Sequence, residues 1–221
     1  MRAIILAAGR GERMRPLTDV MPKPLIKVAG KALIEYHLEK LAAVGVTQVI
    51  INHAWLGQQL VDYLGDGSRW QLEILYSAEH PVALETAGGI ANALPLLGNE
   101  PFWVINGDIW TDCDFSLLPK TLDHGVLAHL LLTDNPAHNV KGDFGLAGTK
   151  VALSGDKTYT YSGIGLYHPL LFNTLEIKPT PLGGLLRQII AKDQVTGQLL
   201  MAQWTDVGTV QRLALLEQQL R

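Results

Sequence analysis

The chain has 221 residues, 48% of them hydrophobic and 18% charged, so it can bury a substantial core, and we expect one large domain. Its formal net charge of −3 gives no general attraction to nucleic acids or anionic membranes, and its single cysteine excludes an intramolecular disulfide and a cysteine-based zinc cluster. No apolar run approaches a membrane span and no signal-peptide pattern opens the chain, so we expect a cytoplasmic protein whose partners are small anions.

Helix and strand patterns alternate along the first half of the chain. In chain order they predict a buried strand at 3–6, a helix at 31–44, a strand at 46–51, a short helix at 58–64, a strand at 72–76, a helix at 86–97 capped by Thr86, and a central strand at 102–105. Strands that alternate with helices are typical of a mostly parallel sheet covered on both faces.

The second half is less regular. It predicts a helix at 115–122, a strand at 127–133, a glycine-rich passage at 142–148, a strand at 159–167, a helix at 182–191, a strand at 198–203 and a closing amphipathic helix at 210–220. The predicted fold class is α/β, a Rossmann-like three-layer α/β/α sandwich around a mixed, mostly parallel sheet.

A glycine-rich loop after the first predicted strand carries the strongest chemical signal. Gly9 and Gly11 allow a sharp turn and a close approach to a ligand, and main-chain N–H groups in such a turn form an anion site. Arg13 lies just beyond, and Lys23 stands between two prolines that fix φ on either side of it. A Gly-x-Gly turn alone is common, and Met14 breaks the dinucleotide-binding pattern, but the combination favours polyphosphate binding.

Residues 6–18 and 22–24 resemble the signature of the sugar-1-phosphate nucleotidyltransferases, Leu-Ala-Ala-Gly-x-Gly-x-Arg-Leu-x-Pro-Leu-Thr followed by Pro-Lys-Pro, and Met14 for leucine is the only departure. The resemblance implies transfer of a nucleotidyl group from a nucleoside triphosphate (NTP) to a sugar 1-phosphate. It also implies a single nucleotidyltransferase domain over 1–221, in which about 1–115 binds the nucleotide and about 116–221 the sugar phosphate. We expect a monomer or a small homo-oligomer.

Two aspartates match the metal-binding motifs of this family. The reaction crowds three anionic groups together, and Mg²⁺ held by one or two carboxylates neutralises such charge. Asp108 follows a strand and a glycine, as in the Gly-Asp motif, and Asp206 occupies the Trp-x-Asp-x-Gly-Thr motif. A single aspartate after a strand is more often a turn or capping residue, which is what we expect of Asp112 and Asp114. The resemblance implies Mg²⁺ as the cofactor, bound by Asp108 and Asp206.

The resemblance also implies a set of nucleotide contacts. Lys23 matches the lysine that contacts the reacting phosphates, and Arg13 matches the arginine that contacts the leaving pyrophosphate, so both are expected to be catalytic. Residues 85–89 resemble the base-binding turn Gly-Thr-Ala-Gly, although Glu85 stands where many relatives have glycine. The full predicted nucleotide-binding set is Ala8, Gly9, Gly11, Glu12, Arg13, Lys23, Glu79, Thr86 and Gly88.

Base and sugar selectivity are less well defined by the residues. Glu79 stands where several relatives carry a glutamine that reads the base, and its carboxylate would suit uracil N3–H or the two guanine donors. The predicted sugar contacts are Asn106, Asp143, Gly145 and Gly163, whereas the Glu-Lys-Pro segment usual in the family is absent. The residues alone therefore leave both selectivities open.

Within the family, the Phe-Gly at 144–145 and the Tyr-Ser-Gly-Ile-Gly-Leu-Tyr at 161–167 are most similar to uridylyltransferases whose acceptor sugar carries a carboxylate. UTP is then the expected donor. Lys141, just ahead of the acceptor segment, is the candidate partner of that carboxylate, although a solvated loop lysine is the commoner role. A mannose-1-phosphate guanylyltransferase is the enzymatic alternative. A non-catalytic sugar-nucleotide sensor, which would have lost the metal acids, is the alternative from another class.

Overall fold

The computed structural model describes residues 1–221, and strands and helices alternate through most of the chain. The strands are β1 (Arg2–Leu6), β2 (Lys27–Val28), β3 (Lys31–Ala32), β4 (Gln48–His53), β5 (Glu73–Ala78), β6 (Phe102–Asn106), β7 (Ile109–Thr111), β8 (Ala128–Thr133), β9 (Phe144–Ala147), β10 (Lys150–Ala152), β11 (Thr158–Tyr167), β12 (Val195–Leu199) and β13 (Trp204–Asp206). The helices are α1 (Leu17–Val20), α2 (Leu33–Ala43), α3 (Gly57–Leu64), α4 (Glu85–Leu97), α5 (Leu182–Ile190) and α6 (Val210–Gln219). None of these helices combines the length and the apolar character needed to cross a bilayer.

Nine strands form one central sheet in the order β5-β4-β1-β6-β11-β8-β12-β10-β9. β5, β4, β1 and β6 pair in parallel, and β12 pairs in parallel with β8. Only β11 and β10 run against the other strands, so the mixed, mostly parallel sheet predicted from the sequence is confirmed. Two small two-stranded antiparallel sheets, β2 with β3 and β7 with β13, complete the strand pairing.

The sheet separates two cores, which makes the fold a three-layer sandwich. Successive side chains of a strand point to opposite faces, and β1 shows this directly, because Ile4 belongs to one buried cluster and Ile5 to the other. Leu38 of α2 and Leu60 of α3 pack on the face of Ile5. Helices α4 and α5 cover the opposite face, on which Ile4 lies. The three-layer α/β/α prediction is therefore confirmed.

Three details of the predicted secondary structure are wrong. The helix predicted at 115–122 is a single 3-10 turn, Phe115–Leu117, because Pro119 disfavours helical backbone before it and Leu118 is extended, with ψ 145°. The strand predicted at 198–203 lies earlier, at β12, where the chain pairs with β8. No side chain caps α4, and its N-cap is Leu84 rather than Thr86. The other predicted elements are confirmed to within two residues at each end.

Candidate active site

A cleft of about 540 Å³ opens where the glycine-rich loop leaves β1, at the carboxyl ends of the parallel strands. The chain passes from β1 to β4 on one side and later returns to β6 on the other, so the cleft lies at a reversal of strand order, where α/β sheets bind ligands. The residues that line it are Leu6, Ala7, Ala8, Gly9, Gly11, Glu12, Arg13, Lys23, Pro24, Asn52, Ala83, Glu85, Thr86, Asn106, Asp108 and Gly208. Most of the predicted nucleotide contacts therefore share one cleft.

The glycine-rich loop is fixed by contacts of its own. Gly11 adopts φ 67°, and a Cβ there would lie 3.0 Å from Thr18 Cγ2, so the turn requires glycine. The Thr18 hydroxyl donates to the Gly11 carbonyl oxygen at 2.8 Å. Arg10 stacks on Trp55 with Cζ 3.9 Å from the ring centroid, and Trp55 Nε1–H donates to the Thr18 carbonyl oxygen at 2.9 Å. The loop is thus held in shape by side chains on both of its arms.

Lys23 and Asp108 form a charged pair inside the cleft. The Lys23 side chain is only 8% exposed, the Asp108 side chain is 38% exposed, and Lys23 Nζ lies 2.6 Å from Asp108 Oδ2. A buried ammonium group needs such a partner, because removal from water is costly. Arg13 differs, since it is exposed at the cleft wall and makes no ion pair. Its guanidinium is free to meet an anionic ligand.

The turn that carries Asp108 is anchored from two sides. Gly107 N–H donates to the Leu6 carbonyl oxygen at 2.9 Å, and a Cβ on Gly107 would lie 2.8 Å from that oxygen. Behind the turn, His37 Nε2 lies 2.9 Å from the Ile109 carbonyl oxygen. Burial lowers the pKa of His37 to about 4, so its imidazole is neutral and Nε2–H donates. The Asp108 carboxylate is therefore presented by rigid backbone.

Asp206 lies beside Asp108 because β13 pairs with β7. Val207 N–H donates to the Asp108 carbonyl oxygen at 3.0 Å, which brings the two acidic residues onto neighbouring strand ends. Asp206 Oδ2 accepts from Arg212 Nη1 at 2.6 Å and lies 3.2 Å from His138 Nε2. Asp206 Oδ1 is buried and has no hydrogen-bond partner.

The two aspartates fit a divalent cation of the Mg²⁺ type. A buried carboxylate oxygen without a partner is rare, and Asp206 Oδ1 is such an oxygen. No group of three or more His, Cys, Asp or Glu side chains gathers anywhere in the chain, which disfavours an all-protein metal cage. Mg²⁺ typically uses one or two carboxylates and completes its shell with phosphate oxygens and water. Asp108 and Asp206 are the residues that could hold it.

Glu79 does not line the cleft. Its Oε1 accepts from Asn52 Nδ2 at 2.7 Å, its Oε2 accepts from Leu84 N–H at 2.6 Å, and the residue is 2% exposed. Asn52 Oδ1 in turn accepts from Ala7 N–H at 2.8 Å. Burial raises the pKa of Glu79, and the two hydrogen bonds oppose that rise. The predicted base-reading contact is therefore not available, and Glu79 instead ties the ends of β1 and β4 to the loop before α4.

Three of the predicted glycines have close packing contacts that explain why no side chain is present. Gly88 is buried in α4, its N–H donates to the Thr180 carbonyl oxygen, and a Cβ there would collide with the Lys178 carbonyl oxygen. A Cβ on Gly145 would lie 2.6 Å from the Ser154 carbonyl oxygen. Neither residue lines the cleft or the cavity beside it. The third, Gly163, adopts φ 81° beneath Asn106, as described next.

A second cavity of about 350 Å³ adjoins the cleft. It is lined by Glu85, Thr86, Asn106, Asp143, Phe144, Tyr161, Pro181, Leu182, Gly183, Leu186 and Arg187. Glu85, Thr86 and Asn106 line both spaces, so the two adjoin and share part of their walls. A Cβ on Gly163 would lie 2.7 Å from Asn106 Nδ2, and glycine therefore makes room for the side chain at the junction.

The predicted acceptor residues divide between this cavity and the surface. Asp143 lines the cavity, but Oδ2 accepts from Tyr161 N–H at 2.8 Å and Oδ1 from Asn139 Nδ2 at 3.2 Å, so it also shapes the wall. Lys141 lines neither space, and its side chain lies on an exposed turn. The prediction that Lys141 contacts the acceptor is therefore not supported by the geometry.

Sequence analysis missed several residues that line the two spaces. Asn52 could have been found, because it is a polar residue at the end of a buried parallel strand, where sites collect. Ala83, Tyr161 and Arg187 carry no such signal. Ala83 lies in a loop, Tyr161 in β11 and Arg187 in α5, and nothing in the sequence around them indicates more than these elements. Their roles depend on contacts between segments far apart in the chain.

The fold and the site define the chain as an enzyme of the nucleotidyltransferase class. A sequence model described as "Nucleotidyl transferase" matches residues 2–148, and the chain belongs to this family. It is a sugar-1-phosphate nucleotidyltransferase, and the sensor alternative is not supported.

A relative named N-acetylmuramate alpha-1-phosphate uridylyltransferase, from Neisseria meningitidis serogroup B, is 50% identical over 96% of this chain and 95% of its own. The mannose-1-phosphate guanylyltransferase catalytic subunit beta of Dictyostelium discoideum is 31% identical over 94% of this chain, which spans 61% of that protein. Among solved structures, the inositol-1-phosphate CTP transferase from T. maritima superposes with a TM-score of 0.77 at 18% identity, and covers 99% of this chain and 95% of its own. That structural likeness supports the fold alone.

Proposed function

We propose that the chain transfers a uridylyl group from UTP to N-acetylmuramate α-1-phosphate, giving the UDP-sugar and pyrophosphate. The 50% identity to the uridylyltransferase of that name, over nearly all of both chains, supports the two substrates. The observation that carries the proposal is the pair of adjoining cavities that share Glu85, Thr86 and Asn106. One has the charged loop that suits a triphosphate, and the other has room for a sugar. We expect the reaction to serve peptidoglycan recycling in the cytoplasm.

In this reaction an oxygen of the sugar phosphate attacks the α-phosphorus of UTP. The new bond joins that oxygen to the α-phosphorus, the bond from the α-phosphorus to the bridging oxygen breaks, and its electron pair leaves with pyrophosphate. Lys23, a compact charge paired with Asp108, would face the α-phosphate, and Arg13 would hold the leaving phosphates with its planar fork. When bound by Asp108 and Asp206, Mg²⁺ would supply further positive charge to the phosphate oxygens.

The proposal divides the single domain, 1–221, between two substrates. Residues of about 1–115 would bind UTP in the cleft, and residues of about 116–221 would build most of the second cavity. Glu85, Thr86 and Asn106 come from the first part but border both spaces, which supports direct contact of the two substrates at the junction. In-line displacement requires such proximity.

A substrate matrix tests this proposal. The four NTPs would be paired with N-acetylmuramate α-1-phosphate, N-acetylglucosamine 1-phosphate and mannose 1-phosphate at saturating Mg²⁺, and pyrophosphate release would be measured. We expect the highest kcat/KM for UTP with N-acetylmuramate α-1-phosphate. Highest turnover of GTP with mannose 1-phosphate would favour the guanylyltransferase alternative. Preference for an acceptor without the lactyl group would overturn the proposed acceptor.

A further inference from the structure

The second cavity contains one cation. Its lining includes the carboxylates of Glu85 and Asp143, and the only basic side chain among its residues is Arg187 of α5. Lys23 and Arg13 belong to the first cleft and border only that space. An acceptor that carries its phosphate toward Lys23 therefore meets, at its other end, a space with two negative groups and a single positive one.

Arg187 has no partner of its own. Its guanidinium makes no ion pair and no hydrogen bond in the structure, unlike the guanidinium of Arg212, which pairs with Asp206. Its one close neighbour is the ring of Phe144, whose centroid lies 5.7 Å from Arg187 Cζ. Phe144 is buried and cannot move away readily. A cation–π contact with a buried ring helps to orient the guanidinium and leaves its N–H donors free.

Asp143 makes no ion pair with Arg187, and each of its carboxylate oxygens already accepts a hydrogen bond from another group. They accept from Tyr161 N–H and Asn139 Nδ2, as described above. These hydrogen bonds also hold Asp143 in the cavity wall, where its charge disfavours an acceptor anion at any place other than beside the cation. The cavity therefore favours an acceptor that carries a second negative group, and it favours that group at the position beside Arg187.

We propose that Arg187 is the specificity-determining residue of the acceptor site and binds the lactyl carboxylate of N-acetylmuramate α-1-phosphate. The inference rests on the proposed function, since it names the contact that distinguishes this acceptor from N-acetylglucosamine 1-phosphate. A carboxylate removed from water requires a charged or hydrogen-bonding partner, and the planar fork of arginine matches a carboxylate in two parallel hydrogen bonds. Arg187 takes the role that sequence analysis assigned to Lys141.

Substitution of Arg187 by glutamine tests the assignment. R187Q removes the charge and keeps a shorter polar side chain on an exposed helix position. With UTP saturating, we expect kcat/KM for N-acetylmuramate α-1-phosphate to fall by about 10- to 100-fold, the loss typical of a charge-assisted hydrogen bond. The value for N-acetylglucosamine 1-phosphate and the KM for UTP should stay within about 2-fold of wild type, well below that loss. R187K should fall between wild type and R187Q, since lysine keeps the charge but loses the fork.

A matched control separates this contact from general charge. Lys192 lies just beyond the end of α5, is exposed and borders neither cavity. K192Q removes the same charge from the same region and should leave both acceptors unaffected. An equal loss of N-acetylmuramate α-1-phosphate turnover in K192Q and R187Q would reduce the effect to net charge and overturn the assignment.

A neutral form of the acceptor provides the second arm. The methyl ester of the lactyl carboxylate removes the charge and adds one methyl group, so wild type should use it about as poorly as R187Q uses the acid. R187Q should not discriminate between acid and ester. If R187Q still prefers the acid as strongly as wild type does, Arg187 does not bind the carboxylate, and the proposed acceptor stands. If wild type itself does not use N-acetylmuramate α-1-phosphate, the proposed function fails first.

Discussion

The nucleotide cleft and the acceptor cavity are built in different ways. Much of the cleft comes from one continuous stretch, 6–24, which leaves a central parallel strand and folds over its end. The acceptor cavity takes its lining from five separated segments, at 85–86, 106, 143–144, 161 and 181–187. A site built from one stretch leaves a motif in the sequence, whereas a site assembled from distant segments does not. The comparison explains why the first was predicted in detail and the second only in part.

The two regions also distribute charge differently. The cleft pairs a buried cation with an acid, Lys23 with Asp108, and keeps Arg13 unpaired at its wall. The acceptor cavity has one unpaired arginine and two acids, of which Asp143 already accepts two hydrogen bonds. We therefore expect losses in the cleft to affect every substrate pair and losses in the acceptor cavity to affect one acceptor. The predictions below test that distinction.

The largest effect should follow from changes to the two metal acids. Asp108→Asn and Asp206→Asn each remove a hard anionic ligand from the proposed Mg²⁺ site, and we expect kcat to fall about 1,000-fold or more for all acceptors. Turnover would be measured by pyrophosphate release at saturating Mg²⁺, and circular dichroism would confirm that each variant is folded. EDTA should abolish wild-type turnover.

Asp112 provides the control for these variants. It lies four residues from Asp108, but its Oδ1 accepts from Gln203 N–H at 2.8 Å and it borders neither cavity. Asp112→Asn can keep that hydrogen bond, so turnover should stay near that of wild type. Normal turnover in Asp108→Asn or Asp206→Asn would remove the residue concerned from the proposed metal site.

The next effect separates the two cations of the cleft. Lys23→Ala should lower kcat by about 100-fold with a smaller change in KM for UTP, because charge on the α-phosphate reorganises in the transition state. Arg13→Ala should mainly raise the KM for UTP, because an exposed and unpaired guanidinium contributes to binding of the triphosphate in both states. Steady-state kinetics with each substrate varied would give both constants.

Lys27 is the matched control, since it is an exposed lysine four residues after Lys23 and lies outside the cleft. Lys27→Ala should change neither constant. If Lys23→Ala raised KM and left kcat intact, the lysine would act in uniform binding, and its assignment to the reacting phosphate would be wrong.

Elements of the fold could be predicted where they depend on residues close together in the chain, and less well where they depend on distant residues. The strand at 3–6 was predictable because Ile4 and Ile5 face two different cores, so both must be apolar. The helix predicted at 115–122 was wrong because Pro119 restricts Leu118, a local effect that outweighed the apolar pattern. Strand β12 was misplaced because its position depends on pairing with β8, more than sixty residues away.

The same reasoning applies to the site. Asp206 was predicted from its motif, but its proximity to Asp108 depends on the pairing of β7 with β13. The resemblance suggested that Glu79 reads the base, and the structure instead buries it between Asn52 and the Leu84 N–H group. The position of Glu79 in the sequence did not reveal which groups would donate hydrogen bonds to its carboxylate oxygens. Arg187 could not have been found, because nothing in the sequence brings it near Phe144.

Glu79→Gln tests whether this residue supports the cleft or reads the base. Glutamine can accept only one of the two hydrogen bonds, and its amide would face the other donor, so we expect the free energy of unfolding to fall by about 1 to 3 kcal/mol. The KM for every NTP should rise by a similar factor, because the Asn52–Ala7 connection loosens for all of them.

Urea unfolding and the NTP matrix would measure both results. Glu73→Gln, on the exposed start of the same strand, is the control and should change stability by less than about 0.5 kcal/mol. A selective change in base preference with unaltered stability would restore the base-reading role to Glu79.

The smallest effect concerns the junction between the two regions. Glu85 lines both spaces and adopts φ 56°, the left-handed conformation that side chains other than glycine occupy at a cost of about 1 to 2 kcal/mol. Glu85→Gly and Glu85→Ala both remove the carboxylate, but only glycine relieves the backbone strain. The glycine variant also has a more flexible unfolded chain, which offsets part of the stability gained from relieving the strain. We therefore expect Glu85→Gly to exceed Glu85→Ala in unfolding free energy by about 1 kcal/mol in urea titrations.

Both variants should have the same kcat/KM, because they lack the same group. Equal stability of the two would show that the junction is not strained, and a higher kcat/KM for glycine alone would show that this backbone, rather than the carboxylate, limits how the two substrates meet.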